Sequence, residues 1–193
     1  MLNLRCALHF AGYLTRSAGT AWETERIQMS KDVSARWGLT CDAPPIVREA
    51  LSYWESKLRG RRMPARRDFD PVLEIPRLLP WVILVDVLRD PLDFRYRVIG
   101  TGITARSSRD HTGCRLSELN RVGPDSIVWT DRRTVVETGA PKLTAPSYIG
   151  GDKTVQAVSG IHLPVSTDGD TVDQIFTFVC YHCLEQRVVK DFQ

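Results

Sequence analysis

The sequence predicts an α+β domain on a five-stranded antiparallel sheet, and three observations carry that prediction. Five β-branched, apolar segments occur along the chain. Helical spacing is confined to the stretch before the first of them and the stretch between the second and third. The remaining connections are short and rich in Gly and Asp, which joins neighbouring strands antiparallel and excludes a βαβ unit. With 193 residues, 25% charged and 42% hydrophobic, the chain fits one globular domain plus an appendage.

The elements follow in order. Residues 1–43 show no packed pattern and are expected to be a poorly structured extension; Met29 offers an alternative start. From Pro44, residues Ile46, Val47, Ala50, Leu51, Trp54 and Leu58 recur at helical spacing, which predicts an amphipathic helix over 44–60 ending near Gly60. Residues 61–80 hold four prolines and read as a connector with at most one helical turn. Trp81–Leu88 and Phe94–Ile99 form a hairpin. Gly, Ser, Thr and Asp then dominate to about residue 122, around two short helices at 103–109 and 116–119. Pro124 reads as the first residue of a helix of about four turns that Gly139 closes.

Three strands finish the domain, at 142–149, 155–166 and 172–182, separated by the turn sequences Gly150-Gly-Asp-Lys153 and Thr167-Asp-Gly-Asp170. Residues 183–193 are a tail. In the last strand Phe176, Phe178 and Cys180 alternate with Ile175, Val179 and Tyr181, so both faces are apolar. That strand is expected at the centre of the sheet, one face toward the inter-strand helices and the other under the 44–60 helix or a second subunit.

Charge and cysteine content narrow the function classes. The net charge is +3, but residues 1–70 carry 12 basic and 8 acidic side chains. The excess gathers around Arg59, Arg61, Arg62, Arg66 and Arg67, candidate contacts for an anion. No aromatic side chain interleaves them and no helix-turn-helix is apparent, which argues against nucleic acid as a partner. No apolar run reaches membrane-span length. The N-terminal outline of a signal peptide is interrupted by His9 and Arg16. Five scattered cysteines do not make a disulfide framework, and a cytoplasmic protein is expected.

Motifs for catalysis, metals and cofactors do not find their context. Gly100-Thr-Gly-Ile-Thr-Ala105 matches a dinucleotide fingerprint but leaves the second arm of a hairpin, where glycines permitting a sharp exit from the sheet are the simpler reading. Cys180-Tyr-His-Cys183 lies on a strand, where residues three apart point to opposite faces, and His182 would be its weak third ligand. No metal site is expected. No nucleophile elbow or phosphate loop is present, and the chain reads as non-enzymatic.

Leu51-Ser-Tyr-Trp-Glu-Ser56, Arg61-Arg-Met-Pro-Ala-Arg66, Asp70-Pro71, Ile75-Pro-Arg-Leu-Leu-Pro80, Phe94-Arg-Tyr-Arg-Val-Ile-Gly-Thr101, Arg109-Asp-His-Thr-Gly113 and Val135-Val-Glu-Thr-Gly-Ala-Pro141 occur in succession. With these motifs residues 44–182 resemble a bacterial family of stand-alone PAS-type proteins. The resemblance implies a PAS-like fold with strand order 2-1-5-4-3, helices between strands 2 and 3, and an N-terminal flanking helix. It further implies a small-ligand sensory or adaptor module that signals through protein contacts, as a homodimer or with a protein partner. No output segment follows in the sequence, so the signal is expected to leave by such a contact. No haem or flavin signature is present, and the cofactor and ligand are left unnamed. Candidate pocket residues are Tyr96, Arg106, His111, Trp129 and His162; candidate interface residues are Leu51, Trp54 and Leu58. A small α+β enzyme with an enclosed pocket and phosphate binding by the arginine cluster are the alternatives.

Overall fold

Pro44 and Pro45 pre-set the backbone for a helix start, and in the computed structural model α1 runs Pro45–Ser56 with a proline in its first turn. The structure describes residues 37–40, 42–107 and 109–184; the expectations for the rest of the N-terminal extension, and for the tail beyond Leu184, lie outside them. The helix stops before Gly60 because the chain turns at once: Arg59 and Gly60 take positive φ values of 47° and 79°. The Arg61 guanidinium donates to the Lys57 and Leu58 carbonyls, which satisfies backbone acceptors at that end.

The proline-rich connector folds into three short pieces, two 3-10 turns at Arg66–Asp68 and Pro76–Trp81 flanking α2, Pro71–Glu74. Strand β1 is Val82–Leu88 and β2 is Asp93–Ile99. After β2 come α3, Thr101–Thr104, a 3-10 turn at Leu116–Glu118, and α4, Ile127–Thr138. Pro124 sits outside α4. Its cap is Ser126, whose Oγ accepts from the Trp129 N–H at 3.1 Å, and the helix has 12 residues, about three turns. Gly139 closes it in the left-handed conformation at φ 62°.

Strand β3 is only Lys142–Thr144. Pro146 has no N–H to give a ladder, so 145–154 becomes a long loop instead of strand and tight turn. Strands β4, Val155–Val165, and β5, Gln174–Cys183, complete the sheet. All pairings are antiparallel and the order is β2-β1-β5-β4-β3. Both the order and the central place of β5 are those expected.

Alternation along the strands divides the core in two. Val82, Leu84, Ile161, Leu163, Phe176 and Phe178 face the outer side and bury Val47, Ala50, Leu51 and Trp54 of α1. Val85, Val87 and Ile175 face the inner side with Phe94, Leu116, Trp129 and Val135. A bulge in the β1–β2 ladder, where Leu84 pairs Val98 and Val85 pairs Tyr96, shifts the parity of β2. Tyr96 and Ile99, three apart, therefore both turn inward.

The Gly100 and Gly102 pair answers to space. A Cβ on Gly100 would come within 2.4 Å of the Leu79 and Pro80 carbonyl oxygens, and one on Gly102 within 2.6 Å of the Trp81 ring. The chain leaving β2 is thereby pressed against the turn that enters β1.

Candidate functional site

Between the inner sheet face and the chain from α3 to α4 lies a cavity of about 660 Å³, a volume suited to a small molecule. Ile83, Ile99, Ile103, Val158 and Val179 supply apolar surface. The loop 146–151, Arg106, Ser107, Arg109 and His111, and residues 119–122 line it as well. Of the expected pocket residues, Tyr96, Arg106, His111 and His162 converge here.

His162 points inward from β4 on the parity of Val158, and 2% of it is exposed. Its Nδ1 lies 2.7 Å from Thr177 Oγ1, while Nε2 is buried without a partner. Burial, reinforced by the Arg132 and Lys142 charges, holds its pKa well below the ordinary histidine value. The imidazole is neutral at pH 7.

Arg106 is held at the cavity wall between two rings, 5.1 Å from the Trp81 centroid and 5.2 Å from that of Tyr181. Its Nη1 donates to the Gly102 carbonyl, and its Nε stands 3.8 Å from Asp152. Burial first, then the Tyr148 phenol, pushes the Tyr181 pKa up to about 12 against the opposing Arg106 charge. His111 is presented by an Asx turn in which Asp110 Oδ1 accepts from the Thr112 N–H and hydroxyl, leaving His111 Nδ1 buried and unpartnered.

Trp129 does not face the cavity, contrary to expectation. It packs edge-to-face on Phe94 with centroids 5.1 Å apart in the inner core. Residues four apart share a helix face, so Val128 and Arg132 line the cavity while Trp129 is turned about 100° from Val128.

Arg132 is the residue that sequence reasoning missed. It is 2% exposed, donates from Nη1 to the Val128 carbonyl at 3.2 Å, and lies 5.9 Å from the Tyr96 ring centroid. Its Nε is buried with no partner, and among the described residues no carboxylate ion-pairs with it. The neighbouring Asp131 is engaged elsewhere, accepting from Thr144 Oγ1 at 2.6 Å and pairing Lys142 at 3.4 Å. The signal available in the sequence is the position of Arg132 within the apolar stripe of α4, four residues after Val128 and three before Val135.

The remaining expectations sort by contact. Leu51 and Trp54 cover the outer sheet face of their own chain, and Trp54 Nε1 donates to the Pro164 carbonyl at 2.7 Å. Leu58 is half-buried beside a smaller hollow of about 450 Å³ that Arg61 and Arg62 also line. The arginine cluster is largely engaged within the chain: Arg61 pairs Asp68 at 2.5 Å, Arg62 donates to the Thr138 carbonyl at 2.5 Å, and Arg66 donates to the Phe69 carbonyl and stands over the Phe176 ring. Arg59 and Arg67 are exposed. Strand β5 continues through Cys183, so Cys180 and Cys183 are free thiols on opposite faces, while His182 Nε2 lies 2.8 Å from Ser159 Oγ. Among the described residues no cluster of His, Cys, Asp or Glu has the arrangement to hold a metal ion.

Residues 43–178, which hold the sheet in the order 2-1-5-4-3, the helical segment after its second strand and the cavity between them, match a family model described as PAS domain. The chain belongs to the PAS domain family. No curated protein and no solved structure matches it significantly. In this PAS domain the cavity lies on the inner sheet face and α1 on the outer, and no helix among the described residues is long and apolar enough to cross a membrane.

Proposed function

We propose that this PAS domain is a cytoplasmic small-ligand sensory or adaptor module that passes its ligand state to a second subunit or a protein partner. One observation carries the reading: the cavity gathers buried polar atoms with no hydrogen-bond partner, Arg132 Nε, His162 Nε2, His111 Nδ1 and Arg106 Nε, the last with only the distant Asp152 carboxylate, in a space of mixed apolar and polar lining. Buried polar groups are normally satisfied, and a set left open at one site is what a ligand completes. Ligand binding is the role this reading gives the cavity; in it the neutral His162 contacts the Thr177 hydroxyl.

The sheet supplies the route outward. On β4 and β5 the cavity residues His162 and Thr177 alternate with Ile161, Leu163, Phe176 and Phe178, which pack on α1. A ligand that prefers one position of these strands biases α1 by its differential affinity. Contact with phosphate through the arginine cluster is disfavoured by the intrachain bonds of Arg61, Arg62 and Arg66.

Native mass spectrometry of freshly purified protein tests the reading. It should show a non-covalent small molecule released on activation, lost in a Val158→Phe variant that fills the cavity. A small molecule retained unchanged in that variant would move binding elsewhere and overturn the assignment.

A further inference from the structure

Inside the cavity the charges are of one sign. Four arginines line it, Arg106, Arg109, Arg121 and Arg132, and no Asp or Glu does. They are graded by depth: Arg109 and Arg121 are exposed, Arg106 is half-buried and Arg132 is fully buried. An unpaired guanidinium in that position is costly, since removing a charge from water is repaid only by a counter-charge or a full set of hydrogen bonds. Within the protein Arg132 has one carbonyl, the face of one ring and the attraction of the Asp131 carboxylate, which makes no ion pair with it and is held by Thr144 and Lys142. Arginine stays protonated even when burial lowers its pKa. The missing partner is an anion.

The chemistry around Arg132 selects among anions. A guanidinium presents a planar fork that matches a carboxylate. The neutral His162 has an unpartnered ring nitrogen in the same cavity, and the tautomer with hydrogen on Nε2, its Nδ1 accepting from Thr177, makes that nitrogen a donor. Ile83, Ile99, Ile103 and Val179 form an apolar patch on the sheet side, while uncharged polar side chains such as Asn120, Ser126 and Ser147 line other parts of the cavity. A cavity of about 660 Å³ exceeds what a carboxylate alone would fill.

We infer that the cavity binds an organic monocarboxylate with an apolar body, its carboxylate held on Arg132 with His162 as a second donor and the exposed arginines drawing it in. This inference rests on the reading of the cavity as a ligand site.

The test is a thermal-shift titration of the full chain with straight-chain monocarboxylates from acetate to octanoate and with benzoate. The matched primary amides and inorganic phosphate serve as controls. The acids should raise the melting temperature in proportion to their apolar length, with the amides weaker by about ten- to a hundred-fold in apparent affinity, the range for loss of a charged hydrogen bond. Arg132→Met should abolish the preference for acid over amide, and Arg132→Lys should restore part of it. If Arg132→Met does not fold, the acid-against-amide contrast in the unaltered protein decides. Amides acting as strongly as acids overturn the carboxylate anchor and leave the small-ligand reading standing. Inorganic phosphate acting as strongly as octanoate overturns the requirement for an apolar body. No shift with any acid or amide overturns both.

Discussion

A histidine buried in its neutral form makes stability depend on pH in a direction that follows from linkage. The native pKa of His162 lies well below its ordinary value of 6.5, so below that pH the unfolded chain binds a proton that the folded protein refuses. Its contribution is complete above about pH 6.5 and is lost as pH falls toward the native pKa, at up to about 1.4 kcal/mol per unit. Urea denaturation across this range should therefore show His162→Gln with a flatter profile than the parent between pH 6.5 and 5, and parallel profiles would contradict the burial of an unprotonated ring. On the outer face, Trp54 is 1% exposed and hydrogen-bonded to the Pro164 carbonyl. Trp54→Ala should cost about 3–5 kcal/mol in denaturant titration. An unchanged midpoint would show that α1 does not pack as described.

Single elements show what patterning conveys and what it omits. The two-sided apolar pattern of β5 was enough to place it at the centre, because a strand covered on both faces has no other place in an open sheet. The stripe of α1 likewise foretold its buried residues, Val47, Ala50, Leu51 and Trp54. The bulge that turns Tyr96 and Ile99 inward leaves no trace in strand periodicity, and the shortening of β3 depends on where Pro146 meets the ladder. Arg132 escaped notice because charge on a helix normally marks the solvent side, whereas its surroundings arise from the packing of α4 over β3 and β4. Gly160 tests the pairing of the long strands. A Cβ there would lie 2.4 Å from the Phe178 carbonyl oxygen, a backbone atom that cannot swing away. Gly160→Ala should destabilise the protein by about 1–3 kcal/mol, measured by chemical denaturation. No loss would contradict the close β4–β5 approach.

At the scale of the molecule, one sheet separates two environments: an apolar outer core covered by α1, and an inner side that combines a packed core with a polar-lined cavity. The strands β4 and β5 contribute to both, so in the proposed function they are the shared element by which a ligand would bias the seating of α1. The resemblance in sequence reached this architecture, and of the five side chains offered for a pocket Tyr96, Arg106, His111 and His162 line the cavity, while the chemical character of the cavity came from burial, which sequence does not show. The central claim is that a small amphipathic acid enters the inner face. Methyl NMR of the full chain titrated with octanoate tests it most directly. Saturable shifts should appear first at Ile83, Ile99, Ile103, Val158 and Val179, with a smaller response at Leu51 and Leu163 across the sheet. Shifts confined to the outer core or to the hollow beside Leu58, or none at any methyl, would contradict it.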